Sequence, residues 1–338
     1  MTDPHPGHAT LRAPHQAPAL RRFRAKRLDP LAARLRRFVA AWRLDTPPSL
    51  GILVALAAWV LIVAFAEPFG RQFGTGQEAR SYWMPTLAHP YANADWTTPS
   101  AYVYSPAFLQ LVAPLTALPW QAFVAAWAAI LLAALRFLTG PRLLALGVAL
   151  AFIEVAGGNI SLLLAAAIVV GFRWPAAWAF VLLTKVTPGI GLLWFAVRRE
   201  WRQLGIALVA TALVVTVSAL MMPVAWQEWI DVLANIAGRD GTWAAVPIPF
   251  VVRLPLAVAL VAWGAGSNRR WTVPVASMIA LPALWYGGLT MLLAVIALRA
   301  TDSPGDPSDA GPSPASDPEP MPRRTVRSMR PVPGGAAG

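Results

Sequence analysis

Between Leu50 and Arg299 the sequence is a succession of apolar runs, with charge largely confined to the joins between them. The first run, LGILVALAAWVLIVAFA from Leu50 to Ala66, carries no ionisable side chain. With its flanks it is just long enough for a membrane helix. The chain is 57% hydrophobic and 13% charged, against about 25% charged for soluble domains. A water-soluble fold is not expected, and no separate soluble catalytic domain fits. The expected fold class is all-α, a polytopic bundle of membrane helices.

Further apolar runs follow at about 103–118, 120–138, 142–156, 159–172, 174–197, 203–222, 244–263, 272–283 and 284–298. Several are too short to span alone. Pro106, Pro114, Gly157, Gly158 and Pro282 interrupt them. Broken helices at membrane depth are tolerated where protein or an aqueous cavity satisfies the freed backbone groups. These breaks therefore point to an interior site.

The net charge of +12 is read as topological rather than as a nucleic-acid footprint. In residues 1–49, Arg12, Arg21, Arg22, Arg24, Lys26, Arg27, Arg34, Arg36, Arg37 and Arg43 outnumber Asp3, Asp29 and Asp45. Such a basic arm suits the cytoplasmic face of a cell membrane with anionic headgroups. The first span is then expected to be a retained signal anchor, since no apolar region falls within the first 15 to 30 residues as a cleaved signal peptide requires. The loop Glu67 to Ser100 is placed outside. Arg198, Arg199 and Arg202, and later Arg269 and Arg270, are placed inside, which about ten segments satisfy. The expected organisation is a basic arm at 1–49, a membrane domain at 50–299, and a disordered cytoplasmic tail at 300–338, rich in Pro, Ser, Asp and Gly. The absence of cysteine leaves neither a disulfide framework nor a thiolate metal site.

Within this frame a few polar residues can carry chemistry. Glu78, in GQEARSYW, lies a few residues beyond the first span; there a carboxylate can act as general base if its environment tunes it. The plainer reading is a solvated loop glutamate, or a partner of Arg80. Lys185 is one of two lysines and lies inside the 174–197 run. An intramembrane cation is costly and defaults to a functional hypothesis, here a contact to the phosphate of a lipid-linked substrate. Snorkelling to a headgroup, or pairing with Glu154, are the alternatives. Glu154, Asn159 and the GGN turn at 157–159 either line a cavity or, for Asn159, cap the following helix. Trp226, Glu228, Trp229, Asp231 and Asn235 read first as an interfacial helix with aromatic anchors, and second as a sugar-stacking surface. There is no phosphate-binding glycine loop, no His-and-carboxylate metal cluster and no strand-based nucleotide motif. A glycosyl transfer by such a chain would need a donor that already resides in the membrane.

In order along the chain, these motifs resemble the polyprenol-phosphate-sugar-dependent membrane glycosyltransferases of family 87, in the GT-C superfamily. Glu78 before Tyr82 and Trp83 stands where that family usually has an Asp before aromatics. YVYSPAFLQLVAPLTALPW resembles its Tyr-rich, Pro-containing second segment, and GGNISLLLAAA its Gly-Gln-Asn turn, with Gly158 where Gln is common. Lys185, Pro188 and RREWR resemble its Lys-x-x-Pro and basic loop. ALPALWYGGL, with Pro282 and Trp285, lacks the usual His. The resemblance implies a cofactor-free inverting transfer of a hexose, mannose in the characterised members. The donor would be a polyprenyl-phosphate sugar and the acceptor a glycan or glycolipid. It implies Glu78 as base, Lys185 near the phosphate, and Tyr82, Tyr102, Tyr104, Asn159 and Trp285 around the sugar. Two other classes fit the same residues: a transporter or flippase of lipid-linked sugar, and a non-catalytic component of an envelope-polysaccharide assembly.

Overall fold

The computed structural model describes residues 46–66, 75–92, 94–95, 101–237 and 248–302. Most of the basic arm, parts of the loop 67–100, residues 238–247 and nearly all of the C-terminal tail lie outside the described residues. Among the described residues thirteen α-helices run in order: α1 Pro48–Ala64, α2 Gln77–Trp83, α3 Pro106–Thr116, α4 Trp120–Thr139, α5 Leu144–Gly157, α6 Ser161–Gly171 and α7 Trp178–Thr184, then α8 Leu193–Val197, α9 Trp201–Met221, α10 Pro223–Ala237, α11 Phe250–Gly266, α12 Thr272–Ile279 and α13 Ala294–Asp302. The 3-10 segments Pro175–Ala177, Thr187–Leu192 and Tyr286–Leu293 join some of them. No strand occurs among the described residues.

Proline sets many of the boundaries. Pro48 and Pro106 occupy first helical positions, where the missing N–H is not needed and φ is already helical. Ser105 caps α3, its hydroxyl accepting the N–H of Phe108. Pro119 separates α3 from α4, close to the join expected between the runs at 118 and 120.

Among the described residues two helices are long and apolar enough to cross a membrane alone, α4 with 20 residues and α9 with 21. The pair α5 and α6 qualifies only as one broken span, bent by 117°. The other apolar helices are shorter. In α9 only Ala207 and Ser218 are buried, while Leu220, Val209 and Leu213 stand out from the protein. Side chains of this kind along a 21-residue helix form a contiguous apolar face of a sort that soluble monomers rarely expose. Against lipid tails the same face is already solvated.

The run at 174–197, expected as one long span, is divided. Pro188 has no N–H to return to the carbonyl of Thr184, and α7 ends there. Lys185 then adopts an extended backbone (φ −138°, ψ 111°) before the 3-10 turn Thr187–Leu192. The run at 284–298 is likewise a 3-10 segment followed by α13. The buried core is continuous through these breaks and is led by Trp178, Trp194, Tyr82, Tyr102, Phe108 and Phe123.

Candidate functional site

Glu78 sits in the first turn of α2, a seven-residue helix that begins after Gly76. This helix lies on the bend between α5 and α6. The Gly76 N–H donates to the Ala156 carbonyl at 2.7 Å, and Ala79 is buried against Gly158. Gly158 has φ +81°, and a Cβ added there would stand 2.6 Å from the Ala79 Cβ. Glycine is thus required twice over, for the left-handed backbone and for the close approach. A Cβ on Gly157 would lie 4.0 Å from the Glu78 Cγ, so the carboxylate arm runs alongside the bend.

The bend holds its own polar groups. Glu154, almost fully buried, accepts the Ser161 N–H on Oε1 at 2.9 Å. The Asn159 Oδ1 accepts the neighbouring Ile160 N–H at 2.7 Å, and Trp127 Nε1 donates to the Gly158 carbonyl at 2.6 Å. The start of α6 is therefore served by two side chains, the Glu154 carboxyl on the Ser161 N–H and Asn159 on the Ile160 N–H. Asn159 takes only the adjacent amide and keeps its Nδ2 toward Gly287.

Lys185, in the gap between α7 and the next 3-10 turn, is partly buried. It interacts electrostatically with both Glu78 and Glu154, and the two carboxylates act on each other. Three charged groups from separate parts of the chain thus share one region. Burial pushes the Glu78 carboxyl above the ordinary carboxylate range, and the positive charge of Lys185 pulls it partly back.

The aromatic residues form a wall beside these charges. One turn beyond Glu78, the buried Tyr82 places its hydroxyl 3.3 Å from that of Tyr104, with Phe108 and Trp127 in ring contact. Both tyrosines feel Glu78 and Glu154. The segment Tyr102–Ser105 is tied down from several sides. Tyr91 donates to the Tyr104 carbonyl at 2.8 Å and Trp229 Nε1 to that of Val103 at 3.2 Å. The Ser105 hydroxyl donates to the Leu183 carbonyl, just ahead of Lys185. Tyr102 is one layer away from Tyr82. Its hydroxyl donates to the Ser105 carbonyl at 2.9 Å, and its ring lines a cleft of about 200 Å³ with Met84, Pro85, Thr86, His89, Pro90 and Ala92. A second cleft, about 240 Å³, lies between Leu87–Pro90 and Met221–Glu228. Neither is lined by the charged groups. On α10, Trp226 donates to the Ser218 hydroxyl at 3.0 Å, so both indole N–H groups of this helix are engaged by the protein.

The C-terminal part of the bundle closes on the same region. Trp285 is partly buried, with an extended backbone, at the head of the 3-10 segment Tyr286–Leu293. A Cβ on Gly287 would run into Glu154 Oε2 and approach Asn159 Nδ2 at 3.6 Å. Of the residues singled out from sequence, Glu78, Tyr82, Tyr104, Asn159 and Lys185 are thus gathered around the bend, with Trp285 at its edge. Tyr102 packs behind them. Two residues carry more of this region than their sequence signal suggests: Glu154, one of several polar groups at the turn, and Arg253, a cation inside an apolar run to which the argument for Lys185 applies equally.

Residues 102–308, more than half of the chain, match Glycosyltransferase family 87. No curated protein and no solved structure matches the chain. The matched region holds the bend, Lys185 and Trp285, and Glu78 lies just ahead of it, joined to it through Gly76, Ala79 and Gly158.

Proposed function

The chain belongs to Glycosyltransferase family 87, a membrane glycosyltransferase of GT-C type, and we propose that it transfers a hexose, mannose, from a polyprenyl-phosphate donor to a glycan or glycolipid acceptor. The reaction takes place on the external side of the cell membrane. About ten membrane segments over residues 50–299 and cytoplasmic termini complete this reading. The observation that carries it is the meeting of Glu78 with Lys185 and Glu154 around the bend after α5. Membership of the family supplies the transferase chemistry, and the charged region supplies the groups it needs.

In this mechanism the acceptor hydroxyl attacks the anomeric carbon from the face opposite the lipid phosphate. The new bond forms between acceptor oxygen and anomeric carbon as the bond to the phosphate oxygen breaks. Glu78 takes the hydroxyl proton; its raised affinity for protons makes it a stronger base than a solvated glutamate. The electron pair leaves with the phosphate, whose growing charge Lys185 faces as a compact cation. Tyr82 and Tyr104 wall the pocket, with Tyr102 bracing Tyr104 from behind. Asn159 and Trp285 offer the amide and the aromatic face that a sugar ring needs.

The test is transfer by membranes supplied with polyprenyl-phosphate sugars. Wild type is expected to glycosylate the acceptor and Glu78→Gln to lose at least about a hundredfold in turnover, within the range of general-base removal. Equal transfer by both proteins would remove Glu78 from the mechanism. Movement of intact lipid-linked sugar across vesicles, with no transfer, would instead favour the transporter reading.

A further inference from the structure

The first turn of α11 contains Arg253, of which only 4% is exposed. Its guanidinium makes four hydrogen bonds, all to backbone carbonyls. Nε donates to Ile248 at 2.8 Å, Nη1 to Ile279 at 2.7 Å and to Leu281 at 2.6 Å, and Nη2 to Pro282 at 2.8 Å. Three of these acceptors, Ile279, Leu281 and Pro282, lie at and just beyond the end of α12. A helix C-terminus leaves its last carbonyls without intrahelical donors, and Pro282 has no N–H with which to continue the ladder. In an apolar interior such carbonyls need a partner. Arg253 supplies it, as a planar fork whose donors point in fixed directions.

This segment leads straight to the site. Three residues beyond Pro282 is Trp285, and then Gly287, whose backbone rests on the Glu154 carboxylate. Leu284, between them, is buried in the core. The stretch from Ile279 to Gly287 is therefore hydrogen-bonded to Arg253 at its start and packed closely against the Glu154 carboxyl at its end. We propose that Arg253 is a positioning residue that fixes the Ile279–Gly287 segment, and with it Trp285, against the Glu154–Asn159 bend. The consequence for catalysis rests on the reading that Trp285 lines the sugar pocket; the positional claim does not.

Because the chain has no cysteine, pairs of introduced cysteines can be spin-labelled without background. One pair, Ile153→Cys with Tyr286→Cys, uses exposed positions on the two sides of the proposed contact. A control pair, Phe137→Cys with Val209→Cys, reports on exposed helix positions elsewhere. In the full chain, Arg253→Lys keeps the charge but cannot present the four-point fork, and Arg253→Met removes the charge. Both are expected to broaden or shift the 153–286 distance distribution while leaving the 137–209 distribution unchanged. Turnover in the sugar-transfer assay should fall by up to about a hundredfold, the effect of displacing a reacting partner by about 1 Å. A 153–286 distribution identical to wild type in Arg253→Lys would overturn the proposal. So would equal broadening of both pairs, or failure of both variants to accumulate as folded protein, since Arg253 would then be a general determinant of the fold. If wild type transfers no sugar from any donor offered, the functional reading fails, and the distance measurements still decide this one.

Discussion

Replacing Gly158 by alanine perturbs the candidate site without removing any of its chemical groups. The structure sets two separate costs. At φ +81° an alanine sits in the left-handed region, which costs about 1–2 kcal/mol. Its Cβ would also stand 2.6 Å from the Ala79 Cβ and 3.1 Å from the Ala79 N. Neither is the end of a flexible side chain, so α2 must shift, an overpacking cost of about 1–3 kcal/mol. The sum is about 2–5 kcal/mol, and the helix that moves is the one bearing Glu78. Gly157 is the control, because it is helical and an added Cβ would meet only the Glu78 Cγ at 4.0 Å. Gly157 is the last helical residue, and alanine at a helical backbone position narrows the unfolded chain's freedom, a gain of about 0.4–1 kcal/mol. Thermal unfolding in detergent and sugar transfer should both rank Gly158→Ala far below wild type, with Gly157→Ala at or above it in stability. Adding Ala79→Gly to Gly158→Ala should recover the overpacking part and leave the backbone part, a coupling that a double-mutant cycle isolates. Equal behaviour of Gly157→Ala and Gly158→Ala, or no coupling to Ala79, would refute the claim that α2 is seated on the bend by this contact.

Transfer requires Glu78 to be ionised, and burial raises its proton affinity, so activity should be lost as pH falls, starting above the pH expected of a solvated glutamate. Because Lys185 counters that rise, Lys185→Met should move the acidic limb of the pH–rate profile to still higher pH and weaken donor use; an unmoved limb would separate the two residues. Gly287→Ala would drive a Cβ into the Glu154 carboxylate, which is anchored through its other oxygen to the Ser161 N–H. It should cost about 1–3 kcal/mol and lower transfer with the fold intact, as judged by unfolding temperature, whereas wild-type transfer would show that this approach is immaterial.

Much of the architecture was legible before any coordinates. Apolar runs bounded by Pro119, Gly157 and Gly158 are the helices α3 to α6 within a few residues, because proline and glycine act locally and apolar length is read directly. The breaks were also readable as a sign of interior polar groups, since lipid offers backbone amides no partner. The interruption at Lys185 was less so. The residues from 174 to 197 look uniformly apolar apart from that lysine, and the effect of Pro188 on the carbonyl of Thr184 is a matter of hydrogen bonding rather than hydropathy.

Which faces meet was not legible, for a physical reason. In water, the buried face of a helix is marked by its apolar stripe, but lipid tails and protein interior are alike apolar, so a helix such as α9 carries little record of which side packs. From sequence alone came the helical class, most of the boundaries, and the short set of polar residues costly enough to need a reason. Only the tertiary structure decided that α5 and α6 bend by 117°, that Glu78 rides on that bend beside Glu154, and that Lys185 comes to it from elsewhere in the chain. It alone decided, too, that Arg253 serves backbone carbonyls and not a carboxylate. Those choices rest on close approaches such as Gly158 to Ala79, and on orphaned carbonyls finding a donor in three dimensions.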